Sequence, residues 1–453
     1  MQACGAATHY NRLSGNGNGR NHRKEFDQPF EGRFRYQANT NYSYQIGPYC
    51  KRVIIEKGTP LVLYTHGKEM NRNERSVFNL FLNQIFNPKQ KSKMKHLSIC
   101  AIVAISISFS CNNQNSQEQP VAQQDTTKAN TSKYLSQPLV SHIYTADPSA
   151  HVFNNRIYVY PSHDTATGTK EDDLGSHFDM RDYHVLSMDS VGGPVTDHGV
   201  ALDIKNVPWA GRQMWAPDAA YANGKYYLYF PVKNKQDVFQ IGVAVSDKPE
   251  GPFTADRTPI KNSYSIDPCV FKDDDGKYYM YFGGIWGGQL QRWNNNKYDS
   301  TAKNRTKDET AVLPRIARLN ADMKSFAEPV KEIKLADKNG KIFGEKDNDK
   351  RFFEAAWVFK NKGKYYFTYS TGDTHFLCYA TGDSPYGPFT YQGVLLNPVE
   401  GWTNHHSIIQ FKDKWYLFYH DTQLSGKTHL RNVKVTELKF NEDGSIPTIT
   451  AQK

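Results

Sequence analysis

The sequence predicts an all-β protein whose main body is a five-bladed β-propeller. Three observations lead there. One strand–turn–strand pattern recurs five times, beginning near residues 146, 215, 266, 353 and 404, and repetition of a short β unit is the mark of blades around an axis. Strand formers are abundant, with 28 Tyr and 25 Phe bringing the aromatic share to 13%, and such residues favour pleated, half-buried surfaces. No apolar period of 3.6 persists anywhere along the chain, so helices are not expected to carry the core.

In chain order, residues 1–93 come first and fit the pattern least. They hold no sustained period of 2 or 3.6 and include the low-complexity run GNGNGRNHRK. They carry 15 Lys/Arg against 6 Asp/Glu, whereas the other 360 residues carry 41 against 40. The formal charge of +10 therefore belongs to the front, and the repeated region is nearly neutral. That excludes nucleic acid as an expected partner.

At Met94 the chain reads MKHLSICAIVAISISFSCNNQ. Lys95 and His96 form a short basic region, and Leu97 to Ser110 form an apolar run of 14 residues. Such a run is too short to span a bilayer as a helix but suits a secretory signal. Ser110 directly before Cys111 resembles a bacterial lipoprotein signal, with Cys111 as the lipid-modified first residue. Translation from Met94 is therefore expected, with 1–93 an over-extended gene assignment; a small N-terminal domain is the alternative. Residues 112–135 are Gln-, Asn-, Ser- and Thr-rich and read as a flexible tether. The expected product is exported and held on a membrane only through lipid at Cys111.

Residues 136–450 supply the blades. The five copies are ADPSAHVFNNRIYVY, WAPDAAYANGKYYLYF, IDPCVFKDDDGKYYMYF, FEAAWVFKNKGKYYFTY and NHHSIIQFKDKWYLFYH. Each has an apolar run, a turn ending in Arg156, Lys225, Lys277, Lys364 or Lys414, and an aromatic strand. Turns such as NNR and ANGK are hairpin chemistry. KDDDGK reads as another hairpin turn, because it lacks the later Glu of a calcium loop. SDKPEGPFT and GDSPYGPFT, following the second and fourth copies, predict tight turns into outermost strands. Cys269 and Cys378 lie in apolar runs and are expected as buried free thiols.

Aligning the copies places Asp147, Ala216, Asp267, Glu354 and His405 at one depth around the axis. Three carboxyl groups and an imidazole then converge on one mouth of the channel, and Ala216 leaves space beside Trp215. Clustered acids raise one another's pKa and cost energy unless they are used. Hydrolysis of a glycosidic bond uses them: one carboxyl must donate a proton to the leaving oxygen and another must activate water. Glu354, among Phe352, Phe353 and Trp357, suits the general acid. Asp147, in the more open TADPSAH, suits the general base. Asp267 would hold Glu354 protonated and oriented. Trp209, Trp215, Trp286 and Trp402 fit either stacking on sugar faces or packing between blades.

Together, TADPSA, MWAPDAAYANGKYYLYF, SIDPCVF, FFEAAWVFKNKGKYYFTYS and GWTNHHSI resemble the family-43 glycoside hydrolases over about residues 136–450. The resemblance implies a five-bladed propeller that cleaves xylose- and arabinose-containing glycans with inversion. Its base, pKa-modulating aspartate and general acid match Asp147, Asp267 and Glu354. It also implies a structural calcium ion in the axial channel, held with waters through His405, and a sugar-contacting arginine at Arg431. A closing C-terminal β-sandwich, which some members of the family add, is not expected here, and the segments 283–310 and 334–351 are expected to build one wall of the pocket in its place. The expected activity is that of an exo-acting β-xylosidase or α-L-arabinofuranosidase on an oligosaccharide or a polysaccharide side chain. The alternatives are an endo-arabinanase-like hydrolase and a non-catalytic glycan-binding propeller, which has no need for a complete set of acids.

Overall fold

The computed structural model describes residues 133–452. It also describes the backbone of four short strands, Arg35–Gln37, Tyr42–Ile46, Cys50–Ile55 and Pro60–Val62, which pair as first with last and second with third. The signal-like run 94–111, with Cys111, and residues 112–132 of the tether lie outside the described residues. Among the described residues the only helical pieces are 3-10 turns, at Ile204–Asn206, Trp286–Gly288 and Leu290–Arg292.

Five antiparallel sheets follow in sequence, as the repeats predict. Blade one contains Tyr144–Phe153, Arg156–Asp164, Asp182–Met188 and Thr196–Asp203. Blade two runs from Asp218–Ala222 through Lys225–Asn234 and Phe239–Ser246 to Thr254–Ala255. Blade three is built from Cys269–Lys272, Tyr278–Phe282, Arg315–Arg318 and Lys331–Glu332. In blade four, Glu354–Asn361, Lys364–Ser370, Leu377–Gly382 and Phe389–Leu396 are joined at the edge by Leu335–Ala336, which runs parallel to its neighbour. Blade five has His406–Phe411, Lys414–Asp421 and Asn432–Leu438. Each blade's first strand touches that of the next, and the fifth touches the first, so the five enclose an axis. The Pro-Gly segment of blade two leads into its outermost strand, Thr254–Ala255, as expected; that of blade four leads into Phe389–Leu396, which Leu335–Ala336 covers at the edge.

Local chemistry sets the hairpins. Asn154 and Asn155 take φ of 51° and 59°, and Asn223 and Gly224 take 53° and 73°. These are the left-handed pairs that match the twist of two-residue hairpins. KDDDGK closes as a turn, with Asp273 N–H donating to the Lys277 carbonyl at 2.9 Å.

The aromatic second strands hold neighbouring blades together. Tyr160, Tyr229 and Tyr281 occupy matching places and are fully buried; Tyr369 and Tyr419, also fully buried, stand one residue further along, where Thr368 and Phe418 hold the matching place. A buried phenol needs a partner for its O–H. The hydroxyls of Tyr160, Tyr229 and Tyr281 donate to the carbonyls of Pro249, Met323 and Pro385, at 2.7, 2.9 and 2.7 Å, each on the segment of the following blade. Nearer the axis, Asp218 accepts from Ser149 and from the backbone N–H of Val270, which ties blades one, two and three. Cys269 and Cys378 are buried and free. The ring is closed by the stretch before blade one and the start of its first strand, where Leu139 N–H donates to the carbonyl of Val433 and Thr145 N–H to that of Arg431, at 2.8 and 2.9 Å.

Candidate active site

Three backbone distortions turn the acids inward. Asp147 and Asp267 hold φ of 49° and 56°, and Ala355, beside Glu354, holds 62°. For residues bearing a Cβ this left-handed conformation costs about 1–2 kcal/mol each. In blade one the ladder passes from Ala146–Ser162 to Ser149–Tyr160, and in blade four from Glu354–Ser370 to Trp357–Thr368. Such bulges re-aim side chains out of a ladder. Asp147, Asp267 and Glu354 all line one cavity of about 560 Å³.

Asp147 sits in a charged brace. The Arg431 guanidinium donates to Asp147 Oδ1 at 2.8 Å, to Asp164 through Nε and Nη2 at 2.8 Å each, and to Thr403 Oγ1 at 3.2 Å. Burial works against the charge of Arg431, but Asp147 and Asp164 outweigh it and hold its pKa above the ordinary value. His420 Nδ1 accepts the Asp147 backbone N–H at 3.0 Å. Burial holds the His420 pKa well below its ordinary value, so the proton of the neutral ring is on Nε2, which faces the Thr403 carbonyl at 3.1 Å.

Glu354 has the opposite surroundings. Among the described residues no side chain hydrogen-bonds its carboxyl, and Phe353 and Ile285 line the cavity near it. Burial first, and then the charge of Asp147, push its pKa up to about 8. Asp267 Oδ2 accepts the N–H of Ala355 at 2.8 Å, fixing the backbone next to Glu354. Burial, then Glu354 and Asp147, drive the Asp267 pKa well above its ordinary range. A proton is therefore held on this side of the cavity at neutral pH.

The other expected residues fall as follows. Trp215 lines the cavity with its Nε1–H committed to the Phe178 carbonyl at 2.7 Å. His405 lines it too; its Nδ1 accepts the His406 N–H at 2.7 Å, and its Nε2 lies 3.7 Å from Asp267 Oδ2. Arg431 lines the cavity, but four of its five N–H donors face protein acceptors. Trp286 and Trp402 complete the aromatic wall, whereas Trp209 stacks on Phe230 inside the core of blades one and two. The segment 283–310 does form a wall, through Ile285 to Gly288. Its glycines permit the approach: a Cβ on Gly284 would meet Ile266 at 2.5 Å, and one on Gly287 the Leu174 carbonyl at 2.6 Å. The segment 334–351 does not line the cavity, because its strand Leu335–Ala336 is spent on the outer edge of blade four. Glu171, Asp172 and the buried His177 also line the cavity.

Asp164, Thr403 and His420 were not singled out from the sequence. The available signal was positional: Asp164 ends the second strand of blade one and His420 stands one residue before the end of that of blade five, beside the inner strand that carries Asp147 and the one that His405 precedes.

Residues 140–446 match the family described as glycosyl hydrolases, family 43. The chain belongs to that family. Among relatives of this family 43 hydrolase, a xylosidase/arabinosidase of Bacteroides ovatus is 57% identical over 313 residues, covering 69% of this chain and 96% of its own. Xylosidase/arabinosidase 43A of Humicola insolens is 58% identical over 321 residues, covering 69% and 98%. A crystal structure of a β-xylosidase/α-arabinofuranosidase from a compost microbial metagenome, in complex with xylotriose and calcium-free, is 66% identical with a TM-score of 0.69. It covers 71% of this chain and 98% of its own.

Proposed function

We propose that this glycoside hydrolase is an inverting, exo-acting enzyme that removes xylose or arabinose units from plant glycans, as β-xylosidase, α-L-arabinofuranosidase or both. The observation that carries the reading is one cavity holding Asp147 against a guanidinium and Glu354 with a pKa of about 8. The names of the relatives above supply the sugar class. In the proposed reaction, a water oxygen attacks the anomeric carbon and gives its proton to Asp147. Glu354 gives its proton to the departing glycosidic oxygen as the carbon–oxygen bond breaks. Asp267 keeps Glu354 in place through Ala355, and Trp215, Trp286 and Trp402 offer faces for the sugars.

A cation in the axial channel would have to meet His405. Its Nδ1 accepts a backbone N–H and burial lowers its pKa, so the neutral ring carries its proton on Nε2. No lone pair then faces the channel. The donors as placed do not fit direct ligation of calcium, and the reaction takes no step through an ion. His405 Nε2 is a buried donor without a partner, which suits a sugar hydroxyl or a water. We also propose export and lipid anchoring at Cys111, on the strength of the run from Met94. Mass spectrometry of membrane-fraction protein tests this, and tryptic peptides from residues 25–90 would sink it.

The enzymatic proposal is tested by purified protein against nitrophenyl β-xyloside, nitrophenyl α-arabinofuranoside and linear arabinan, with proton NMR of the first product. Release of a pentose of inverted configuration from either nitrophenyl substrate is expected. Retained configuration, or activity on arabinan alone, overturns it.

A further inference from the structure

Away from the cavity, blade one gathers a second set of titratable side chains that the reaction does not use. His163 ends the strand Arg156–Asp164, and Asp182 and His184 begin the strand Asp182–Met188. Ser162 pairs with Tyr183, so strand alternation puts His163, Asp182 and His184 on the opposite face from those two, together. One ligand atom from each of the three lies within 4.8 Å of the others. His163 Nδ1 is 2.6 Å from Asp182 Oδ1, and His184 Nε2 is 3.9 Å from the same oxygen. The side chains are 18, 20 and 11% exposed, so solvent ions reach them without unfolding.

A fourth residue orients the set. Asp197 Oδ1 lies 2.9 Å from His184 Nδ1 and also accepts the Gly199 N–H at 2.8 Å, while its Oδ2 meets His142 Nε2 at 2.7 Å. A carboxylate on one imidazole nitrogen fixes the tautomer and leaves the other nitrogen's lone pair free, the arrangement that supports ligating histidines in metalloproteins. Here that free nitrogen is His184 Nε2, which points toward Asp182.

We propose that His163, Asp182 and His184 bind a first-row divalent transition metal of the zinc class, with Asp197 as the supporting carboxylate. Two imidazoles and one carboxylate select such an ion over calcium or magnesium, which take oxygen ligands. Ligand bonds of about 2.0–2.2 Å require small changes only, with the 2.6 Å pair opening and the 3.9 Å pair closing. The proton between His163 and Asp182 leaves to solvent as the metal enters, so affinity rises with pH until His163 is neutral. The ion would clamp two strands of blade one a single residue from Asp164, the anchor of Arg431.

Zinc titration of the purified full chain by calorimetry tests the site. One equivalent is expected for the wild type. Asp197→Asn should weaken it by about 10–100-fold, and His163→Gln with His184→Gln should abolish it while circular dichroism stays native. An equivalent that survives the double substitution places the metal elsewhere and overturns the proposal. So does an absence of binding by the folded wild type, which would make the cluster a set of hydrogen-bonded pairs. Should the double variant fail to fold, anomalous scattering from zinc-soaked wild-type crystals decides: a peak among the three side chains supports the site, and none there overturns it.

Discussion

Asp147 and Glu354 are both carboxyl groups on distorted backbone in one cavity, yet their surroundings differ at every level. Asp147 is tied to Arg431, and through it to Asp164 and Thr403, while His420 holds its backbone. Glu354 has apolar neighbours, a backbone clip at Ala355 supplied by Asp267 and a pKa of about 8. One side is held by polar bonds, the other by burial. The contrast supports the proposed roles, with the braced group taking a proton from water and the unbraced, protonated one giving its proton away.

The largest expected effect comes from removing the unbraced proton. Glu354→Gln should lower kcat on substrates with poor leaving groups by about 10²–10⁴-fold, the usual worth of general acid catalysis. Nitrophenyl glycosides, which leave with little protonation, should lose far less. Equal losses on both classes would break the contrast by showing that Glu354 does not act through its proton.

Attacking the brace should act on stability first. Asp164→Asn removes the carboxylate that holds Arg431 at two nitrogens, leaving a buried guanidinium with less compensation. Removing one partner of a buried pair costs about 3–5 kcal/mol, so denaturant melts of this variant should shift strongly. Glu354→Gln at neutral pH should shift them little. Comparable melts for the two variants would mean that the polar brace carries no more of the fold than the apolar side does.

How much of this contrast was legible in the sequence follows from where each half is encoded. The blades and the three acids were readable because each acid sits at a fixed place in a repeat, and repetition puts equal positions at equal depth around an axis. The apolar setting of Glu354 was readable in part, from its neighbour Phe353, which lines the cavity, whereas Phe352 packs on Phe367 and Trp357 spends its Nε1–H on the Ile408 carbonyl. The brace was not, apart from Arg431. His420 meets Asp147 only once blade five closes on blade one, across 273 residues of chain, and Asp164 and Thr403 reach it only through Arg431, which lies 267 residues from Asp164 and 284 from Asp147. The role of 334–351 was misread for a related reason, since pairing of Leu335–Ala336 with Phe389–Leu396 is a long-range choice that a short apolar stretch does not announce.

The acid's titration should be visible in rate. The proposed role of Glu354 as the acid requires its proton, so kcat/KM should fall about tenfold per pH unit above pH 8, where that proton is lost. That alkaline limb should be absent from the residual activity of Glu354→Gln on nitrophenyl substrates. A limb that persists in the variant would assign the ionisation to another group.

The smallest effect expected is on stability at alkaline pH, and its sign is fixed by the same shift. Glu354 titrates near 8 in the folded protein against an ordinary 4.5, so the folded state binds this proton more tightly than the unfolded chain does. The resulting stabilisation is complete below pH 4.5 and is lost as pH rises to 8, because the unfolded chain ionises freely in that window while the folded state still holds its proton. Gln cannot ionise, so Glu354→Gln should keep what the wild type loses. Part of the side chain faces the open cavity, which reduces the gain to about 1–2 kcal/mol. The variant's Tm should therefore exceed that of the wild type by a few degrees at pH 9 and by less at pH 5. Calorimetric scans at the two pH values measure this difference of differences. If the two proteins lose stability in parallel between them, Glu354 does not hold a proton into the neutral range, and the division between a braced base and a buried acid fails at its acid half.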